Sequence, residues 1–141
     1  MAVEITFLYH GELRCVATHG PSQRELTTDA PADNQGKGES FSPTDLVATA
    51  LGSCILTTMG IVAQRHHIDL AGATAHVVKE MVLQPLRRIG ALPVTVSIPA
   101  DKAARLTLEH RMLLENAARQ CPVQQSLHPD IRHTIEFIYQ Q

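Results

Sequence analysis

A long, almost uncharged segment places the strongest constraint on this fold. Residues 43–67, PTDLVATALGSCILTTMGIVAQRHH, predict one continuous helix of about seven turns. Ser42 is the expected N-cap, Pro43 the first helical residue, and Asp45 an acidic partner that resembles a capping box. Two histidines close the segment, where imidazolium complements the negative end of the helix dipole.

The predicted helix is apolar on nearly every side. Spacings of three and four residues predict one shared face, made of Val47, Leu51, Cys54, Thr58 and Val62. Much of the remaining surface is also apolar or small, so we expect burial on several sides and, in so short a chain, cover from a partner subunit. Gly, Ser and Thr interrupt the run from Leu46 to Ala63, which we therefore expect to be too polar for a membrane span.

Strand patterns precede this helix. Alternating residues at 3–9 and 13–17, followed by a short run at 25–28, predict a small antiparallel meander. Residues 29–42 are rich in Gly, Asp and Asn and lack apolar periodicity, which predicts a loop. A loop of this length in a small domain is often functional.

The second half of the chain mixes strands with helices. Residues 68–83 and 92–100 are strand-like, and the basic segment Pro85–Gly90 is expected to connect them. A helix is predicted over 101–119, with an inner face made of Leu106, His110, Leu113 and Ala117. A short helix after Cys121 and a strand over 131–139 follow. This order predicts an α+β fold, and the length of 141 residues predicts a single domain spanning 1–141.

The charge balance argues against one broad class of function. With 12 basic and 14 acidic residues the formal net charge is −2, and no basic stripe is present, so nucleic-acid binding has no support. The first fifteen residues lack a charged segment followed by an apolar one, which argues against a signal peptide. We therefore expect a soluble cytoplasmic protein, in which thiols that matter are usually catalytic or redox-sensing.

Three cysteines, at positions 15, 54 and 121, match neither a secreted disulfide framework nor a zinc pattern. Cys121 directly precedes Pro122 and is expected at or beside a helix N-cap, where unpaired N–H groups lower the pKa of a thiol. On this stretch alone, a buried small hydrophobe that closes a helix-to-helix corner is an equal alternative. Cys54 lies about three turns into the long helix, beyond the reach of its dipole, and needs a nearby cation to ionise. Cys15 is expected to be a passive packed thiol.

Eight histidines raise the question of a metal site. His128, His133 and Cys121 would lie near one helix terminus, but their spacing matches no ligand pattern, and no metal is expected. The sequence also contains no glycine-rich phosphate loop, nucleophile elbow or HExxH helix.

Two stretches, FSPTDLVATALGSC ending at Cys54 and CPVQQSLHP beginning at Cys121, resemble the paired cysteine motifs of the OsmC/Ohr superfamily of thiol-dependent peroxidases. The likeness extends to the order of the elements, so it covers essentially the whole chain. It is closer to the broad OsmC-like group than to the organic hydroperoxide resistance proteins proper. It implies the OsmC-like fold, in which antiparallel sheets wrap around long central helices in an intertwined homodimer with active sites where the subunits meet.

The resemblance also implies a reaction. Cys54 would be the peroxidatic thiol, which attacks the distal oxygen of an organic hydroperoxide, releases an alcohol and becomes a sulfenic acid. Cys121 would condense with that sulfenic acid to form a disulfide, and an external dithiol, such as a lipoyl-type one, would reduce it. No bound cofactor is implied.

The activating cation is the point at which this sequence departs from the family pattern. In the hydroperoxide resistance branch an arginine serves this role, held by a glutamate ten residues before the peroxidatic cysteine. That position is Thr44 here, with Asp45 beside it. Arg14 is the first candidate for the arginine, followed by Arg24 and then by the pair Arg87–Arg88.

Two alternatives to a peroxidase stay open. The same scaffold could hold a small hydrophobic ligand in a cleft lined by unreactive cysteines, which the missing glutamate at Thr44 favours. It could also be a redox sensor that is oxidised once and then changes a contact with a partner.

Overall fold

The computed structural model describes all 141 residues, which form two compact units, 1–47 and 48–141. Antiparallel strands and helices occur together, which confirms the predicted α+β class. The strands are β1 (Ile5–Gly11), β2 (Arg14–His19), β3 (Glu25–Asp29), β4 (Thr74–Val77), β5 (Glu80–Val82), β6 (Arg88–Ala91), β7 (Val94–Ile98) and β8 (Ile135–Tyr139). The α-helices are α1 (Pro43–Arg65), α2 (Ala100–Ala103), α3 (Leu108–Ala118) and α4 (Pro122–Ser126).

The first unit contains the predicted meander. Its sheet has the order β1-β2-β3 with antiparallel neighbours, and Phe7, Ala17 and Leu26 lie side by side across it. The turn between β1 and β2 holds Glu12 and Leu13 at φ values of 55° and 63°. The predicted loop after β3 is also present, with one short 3-10 turn at 32–34, and it returns along the sheet.

A reciprocal capping box starts α1, as the sequence predicts. Ser42 Oγ accepts a hydrogen bond from the Asp45 backbone N–H at 3.1 Å, and Asp45 Oδ2 accepts one from the Ser42 N–H at 2.9 Å. The helix ends at Arg65, two residues earlier than expected. His67 follows in a left-handed conformation, with φ of 56°, which no α-helix can continue.

The buried face of α1 differs from the predicted one. Its buried residues are Ala48, Leu51, Gly52, Ile55, Met59 and Ala63. Cys54 and Thr58 lie on the flank of this stripe and are half-buried. Because almost every position is apolar or small, spacing alone cannot select the face that the sheet covers.

By its length and composition α1 could span a membrane, so the expectation that it is too polar is wrong. An 18-residue window of this helix has a mean hydropathy of 1.9, enough to qualify as a candidate span. Core helices of soluble proteins meet the same criterion, so one such helix is weak evidence for a membrane. Only 28% of the window is buried within this chain, which leaves much of the apolar helix uncovered.

The second unit is built around a mixed sheet with the order β4-β7-β8. β4 and β7 are antiparallel, whereas β7 and β8 run parallel with Val94 opposite Ile135. β7 is the central strand, and alternate residues along it are fully buried. Gly52 allows α1 to approach β4, because a Cβ at that position would lie 3.0 Å from Val77 Cγ2.

Two predicted boundaries in this unit are wrong. The connection expected over Pro85–Gly90 ends early, because β6 starts at Arg88 and pairs with β5 in a separate hairpin. The helix predicted over 101–119 is two helices, since Thr107 caps a new one. Thr107 Oγ1 accepts the His110 backbone N–H at 3.1 Å, and His110 Nδ1 accepts the Thr107 N–H at 3.4 Å.

That capping box also changes the predicted inner face of the helix. His110 serves the cap at the start of α3 and not the core. The buried residues of α3 are Leu114, Ala117 and Ala118. Of the predicted inner face, only Ala117 is buried, and Leu106 lies before the start of α3.

Candidate functional site

Cys121 occupies the N-cap of α4, as the sequence predicts. Its backbone is extended, with φ of −63° and ψ of 138°, and Pro122 is the first helical residue. Its Sγ accepts a hydrogen bond from the backbone N–H of Gln124 at 3.3 Å. The residue is completely buried, with 0% of its surface exposed.

The structure brings the Cys54 thiol to Cys121. The Cys54 side chain is close enough to raise the pKa of the Cys121 thiol, although 67 positions separate the two residues in sequence. Cys54 is half-buried on the flank of α1, and its Sγ lies 3.8 Å from Thr58 Oγ1, one turn further along the helix. Both cysteines belong to the second unit, so their proximity is a property of one compact body.

The pKa of the Cys121 thiol is raised, which overturns the expectation drawn from its N-cap position. Burial is the largest cause, and the adjacent Cys54 side chain raises it further. The backbone N–H groups of Gln124 and Val123 act in the opposite direction with smaller effect. α4 has only five residues, so its dipole does not compensate for the loss of hydration. Cys121 is therefore a protonated thiol at neutral pH.

Gln124 and His133 form a contact beside this thiol that the sequence analysis did not identify. Gln124 Nε2 lies 2.7 Å from His133 Nδ1, within hydrogen-bond distance. Gln124 Oε1 is buried and has no hydrogen-bond partner in the protein. His133 was considered only as a metal ligand, and no three His, Cys, Asp or Glu side chains group in a way that could hold a metal ion. In the sequence, the only sign of this contact is the position of Gln124, three residues after an N-cap cysteine.

Arg14, the first-choice activating arginine, is held by two carboxylates within the first unit. Its Nε and Nη2 donate to Asp29 at 2.6 and 2.8 Å, and Nη2 also donates to Glu39 at 3.1 Å. Asp29 is 1% exposed, and hydrogen bonding from Arg14 lowers the pKa of its carboxyl group while the pKa of Arg14 rises. Glu39 is exposed, so Asp29 is the buried anchor. Arg14 is thus a fixed ion-pair partner and not a freely solvated strand residue.

The other supporting residues have local structural roles or no visible partner at the surface. Asp45 caps α1, and Thr44 Oγ1 lies 3.3 Å from Ser42 Oγ within the same cap. Arg24 and Arg87 are exposed. Arg88 donates to the carbonyl of the next residue at 3.0 Å at the start of β6.

Cys15 lies on β2 in the first unit, level with Tyr9 and Thr28 on the neighbouring strands. It is a free, half-buried thiol. Its position within a regular ladder agrees with the expected packing role.

Comparison with known proteins identifies relatives for almost the whole chain. The sequence model described as OsmC-like protein matches residues 36–136. One solved structure, from Psychrobacter arcticus 273-4, is provisionally described as an osmotic stress induced and detoxification response protein. Its sequence is 44% identical to this one. The match covers 94% of this chain and 93% of that one, with a TM-score of 0.86. No curated protein matches the sequence.

More distant structures share the fold. A Vibrio cholerae structure, provisionally described as an organic hydroperoxide resistance protein with captopril bound in one of its active sites, is 18% identical; the match covers 97% of this chain and 91% of that one, with a TM-score of 0.74. An organic hydroperoxide resistance protein OsmC from Legionella pneumophila is 16% identical, with coverage of 98% and 97% and a TM-score of 0.72. At these identities the likeness establishes the fold and leaves the chemistry to the residues of this chain.

Proposed function

This chain belongs to the OsmC-like protein family, and we propose that it is a thiol peroxidase that reduces organic hydroperoxides to alcohols in a stress-protective role. The observation that carries the proposal is the proximity of the Cys54 and Cys121 thiols. A thiol whose pKa is perturbed by burial and by a second thiol is a candidate for a functional site. The hydroperoxide resistance proteins that share the fold support the same chemistry.

The environments of the two thiols assign their roles. Cys54 is half-exposed and can be reached by a substrate, whereas Cys121 is fully buried and keeps its proton. Since the thiolate is the nucleophilic form, Cys54 is the attacking thiol and Cys121 the resolving one. The raised pKa of Cys121 also keeps it from reacting before its partner has been oxidised.

The proposed cycle balances without a bound cofactor. The Cys54 thiolate attacks the distal oxygen of ROOH, the O–O bond breaks, and the departing alkoxide takes a proton to leave as ROH. The Cys121 thiol then attacks the sulfur of the resulting sulfenic acid, forming the disulfide and releasing water. An external dithiol, such as a lipoyl-type one, returns both cysteines to thiols by exchange and is itself oxidised to a disulfide.

The family resemblance keeps Arg14 as the first candidate for the activating arginine, a prediction that substitution tests. Its bidentate pairing with Asp29 fixes the guanidinium within the first unit. Substituting Arg14 should therefore slow the attack on peroxide more than substituting the exposed Arg24 does. Equal effects of the two substitutions would remove Arg14 from the proposal.

A homodimer is proposed as the working form, because two apolar surfaces are uncovered in one chain. One face of β1 exposes Ile5, Phe7 and Tyr9 by 50%, 70% and 62% of their surfaces. Most of the apolar surface of α1 is also unburied. Patches of this kind mark association sites. A cytoplasmic location is also proposed, because its reducing conditions would keep the cysteines as thiols.

Single-turnover oxidation tests the proposal. The reduced protein is mixed with one equivalent of tert-butyl hydroperoxide, and free thiols and remaining peroxide are counted. We expect two thiols and one peroxide to disappear together in the parent protein and in the matched control Cys15→Ser. Cys54→Ser should leave the peroxide intact, and Cys121→Ser should consume it while stopping at a sulfenic acid. Survival of the peroxide with all three thiols reduced would refute an enzymatic role.

Adding a dithiol after this oxidation distinguishes a redox sensor from a peroxidase, and the lining of a cavity bears on a ligand carrier. A redox sensor would be oxidised once and would not be recycled by any dithiol. A ligand carrier with a cysteine-lined cleft gains no support from one cavity in the second unit. That cavity, of about 310 Å³, is lined by α1 residues such as Leu56 and Gly60 and by residues 68–71, with no cysteine among its walls.

A further inference from the structure

The turn between β5 and β6 exposes two leucines to solvent. Residues 83–87, LQPLR, connect the two strands, and all five are exposed. Leu83 and Leu86 leave 64% and 75% of their surfaces uncovered. Hairpin turns are usually built from Gly, Asn, Asp, Ser and Pro, which suit tight turns, and the turn between β2 and β3, GPSQR, has this composition. Only Pro85 is of this kind here, so turn formation does not explain the leucines.

The same turn carries positive charge that no carboxylate neutralises. Arg87 is exposed without an ion pair, and Arg88 donates to the Ile89 carbonyl at 3.0 Å. No Asp or Glu occurs between Glu80 and Asp101 in the sequence. Because the whole chain has a formal net charge of −2, this basic site is a local feature of an otherwise acidic protein. Its charge is complementary to an anionic partner.

The small size of the turn favours a lipid surface over a protein as that partner. A stable protein–protein interface buries about 800 Å² on each side, much more than a five-residue turn offers. A bilayer needs no complementary groove, since leucine side chains enter the boundary between headgroups and acyl chains while adjacent arginines stay at the phosphates. Exposed leucines directly beside unpaired arginines fit this arrangement.

We propose that the β5–β6 turn docks the protein on anionic lipid membranes, with Leu83 and Leu86 entering the interface and Arg87 and Arg88 binding lipid phosphates. Binding is weak and reversible, because only two leucines enter the bilayer. The inference goes beyond the proposed function, since it concerns a partner surface and no cysteine takes part in it. Vesicle binding is measured without peroxide, so its failure and the failure of the peroxidase activity are separate results.

The test is sedimentation of the reduced protein with vesicles made of equal parts of phosphatidylcholine and phosphatidylglycerol. We expect Leu86→Ser to lower the partition coefficient about tenfold, because a buried leucine is lost. The matched control Leu108→Ser, at the start of α3, should leave it unchanged, although Leu108 is also 75% exposed. Arg87→Gln should lower the coefficient about fivefold, as for one arginine at an anionic surface, whereas Arg24→Gln should not. Vesicles of phosphatidylcholine alone should bind the parent protein at least about tenfold more weakly.

Three results would overturn the inference. The parent protein could fail to sediment with the anionic vesicles, or Leu86→Ser and Leu108→Ser could weaken binding equally, which would show unspecific adhesion. Leu86→Ser could also leave vesicle binding unchanged while lowering the oligomeric mass in gel filtration, which would make the turn a contact between copies of the chain. Circular dichroism checks the fold of each variant, and Leu83→Ser gives the same comparison if Leu86→Ser does not fold.

Discussion

Oxidation to the proposed Cys54–Cys121 disulfide should stabilise the protein against unfolding. The bond would close a loop of 67 positions in the unfolded chain, which contributes about 4 kcal/mol at 25 °C in the chain-entropy treatment. The hydrogen bond from the Gln124 N–H to Cys121 Sγ weakens when that sulfur becomes part of a disulfide, at a cost of about 1 kcal/mol. The expected net gain is about 3 kcal/mol, or about 10 °C in Tm for a chain of this size.

The measurement is urea unfolding of the reduced protein and of the protein treated with one equivalent of organic hydroperoxide. Mass spectrometry must first show the loss of two hydrogen atoms and a bond between the two cysteines. Cys15→Ser should show the full gain on oxidation, because Cys15 takes no part in the bond. Cys121→Ser should show none, because a sulfenic acid closes no loop.

A verified disulfide that leaves stability unchanged, or lowers it, would refute this reasoning. It would mean that the two thiols, though in contact, cannot bond without distorting α1 or α4. The proximity of the two thiols in the reduced protein would then reflect packing alone. The free energy lost to distortion would equal the free energy that loop closure contributes.

Three further predictions concern the scaffold. Asp29→Asn removes the ion pair with Arg14 and should lower Tm at pH 7. Because the pKa of Asp29 is depressed in the folded protein, this stabilisation is present above the ordinary pKa of 3.8 and fades as the pH falls through the folded pKa. Equal losses of Tm at pH 7 and below about pH 3 would contradict this reasoning. Leu114→Ala should cost about 2–5 kcal/mol in urea unfolding, since Leu114 is fully buried, and a cost below about 1 kcal/mol would show that α3 repacks. Gly52→Ala should change the free energy of unfolding by less than about 1 kcal/mol, because the better helix propensity of alanine offsets the tight contact with Val77. Gly52→Val should destabilise the protein by about 1–3 kcal/mol or more. Calorimetry distinguishes the two outcomes.

Helix starts could be predicted where a few adjacent residues determine them. Ser42 and Asp45 satisfy each other's backbone groups, so the start of α1 is encoded within four positions. Cys121 and Pro122 define the start of α4 in the same way. The break before α3 was missed because its capping box uses His110 in place of the usual glutamate or glutamine, so the pattern looked like one uninterrupted helix.

Features that depend on distant parts of the chain could not be predicted in this way. The buried stripe of α1 is selected by β4 and its neighbours, and a nearly uniform apolar helix carries no signal for it. The direction of the Cys121 pKa shift depends on burial and on Cys54, both set by tertiary packing. The pairing of Arg14 with Asp29 depends on how β2 and β3 align, and the contact between Gln124 and His133 depends on residues nine positions apart. The cysteine pair itself was found through resemblance to a family, because 67 intervening residues give no local sign of contact.

The parallel pairing of β8 with β7 has a consequence for how the protein matures. The three helices after β7 all lie in one crossover connection between β7 and β8. Both ends of this connection are fixed only once β8 has paired with β7. Such long-range closure is slow compared with forming local helices and hairpins. During synthesis, the pocket around Cys121 is therefore finished last, after Cys15 and Cys54 have already emerged. A newly made chain passes through an interval in which its thiols are exposed without the architecture that restricts their pairing, and a cell under oxidant stress would have to complete folding within it.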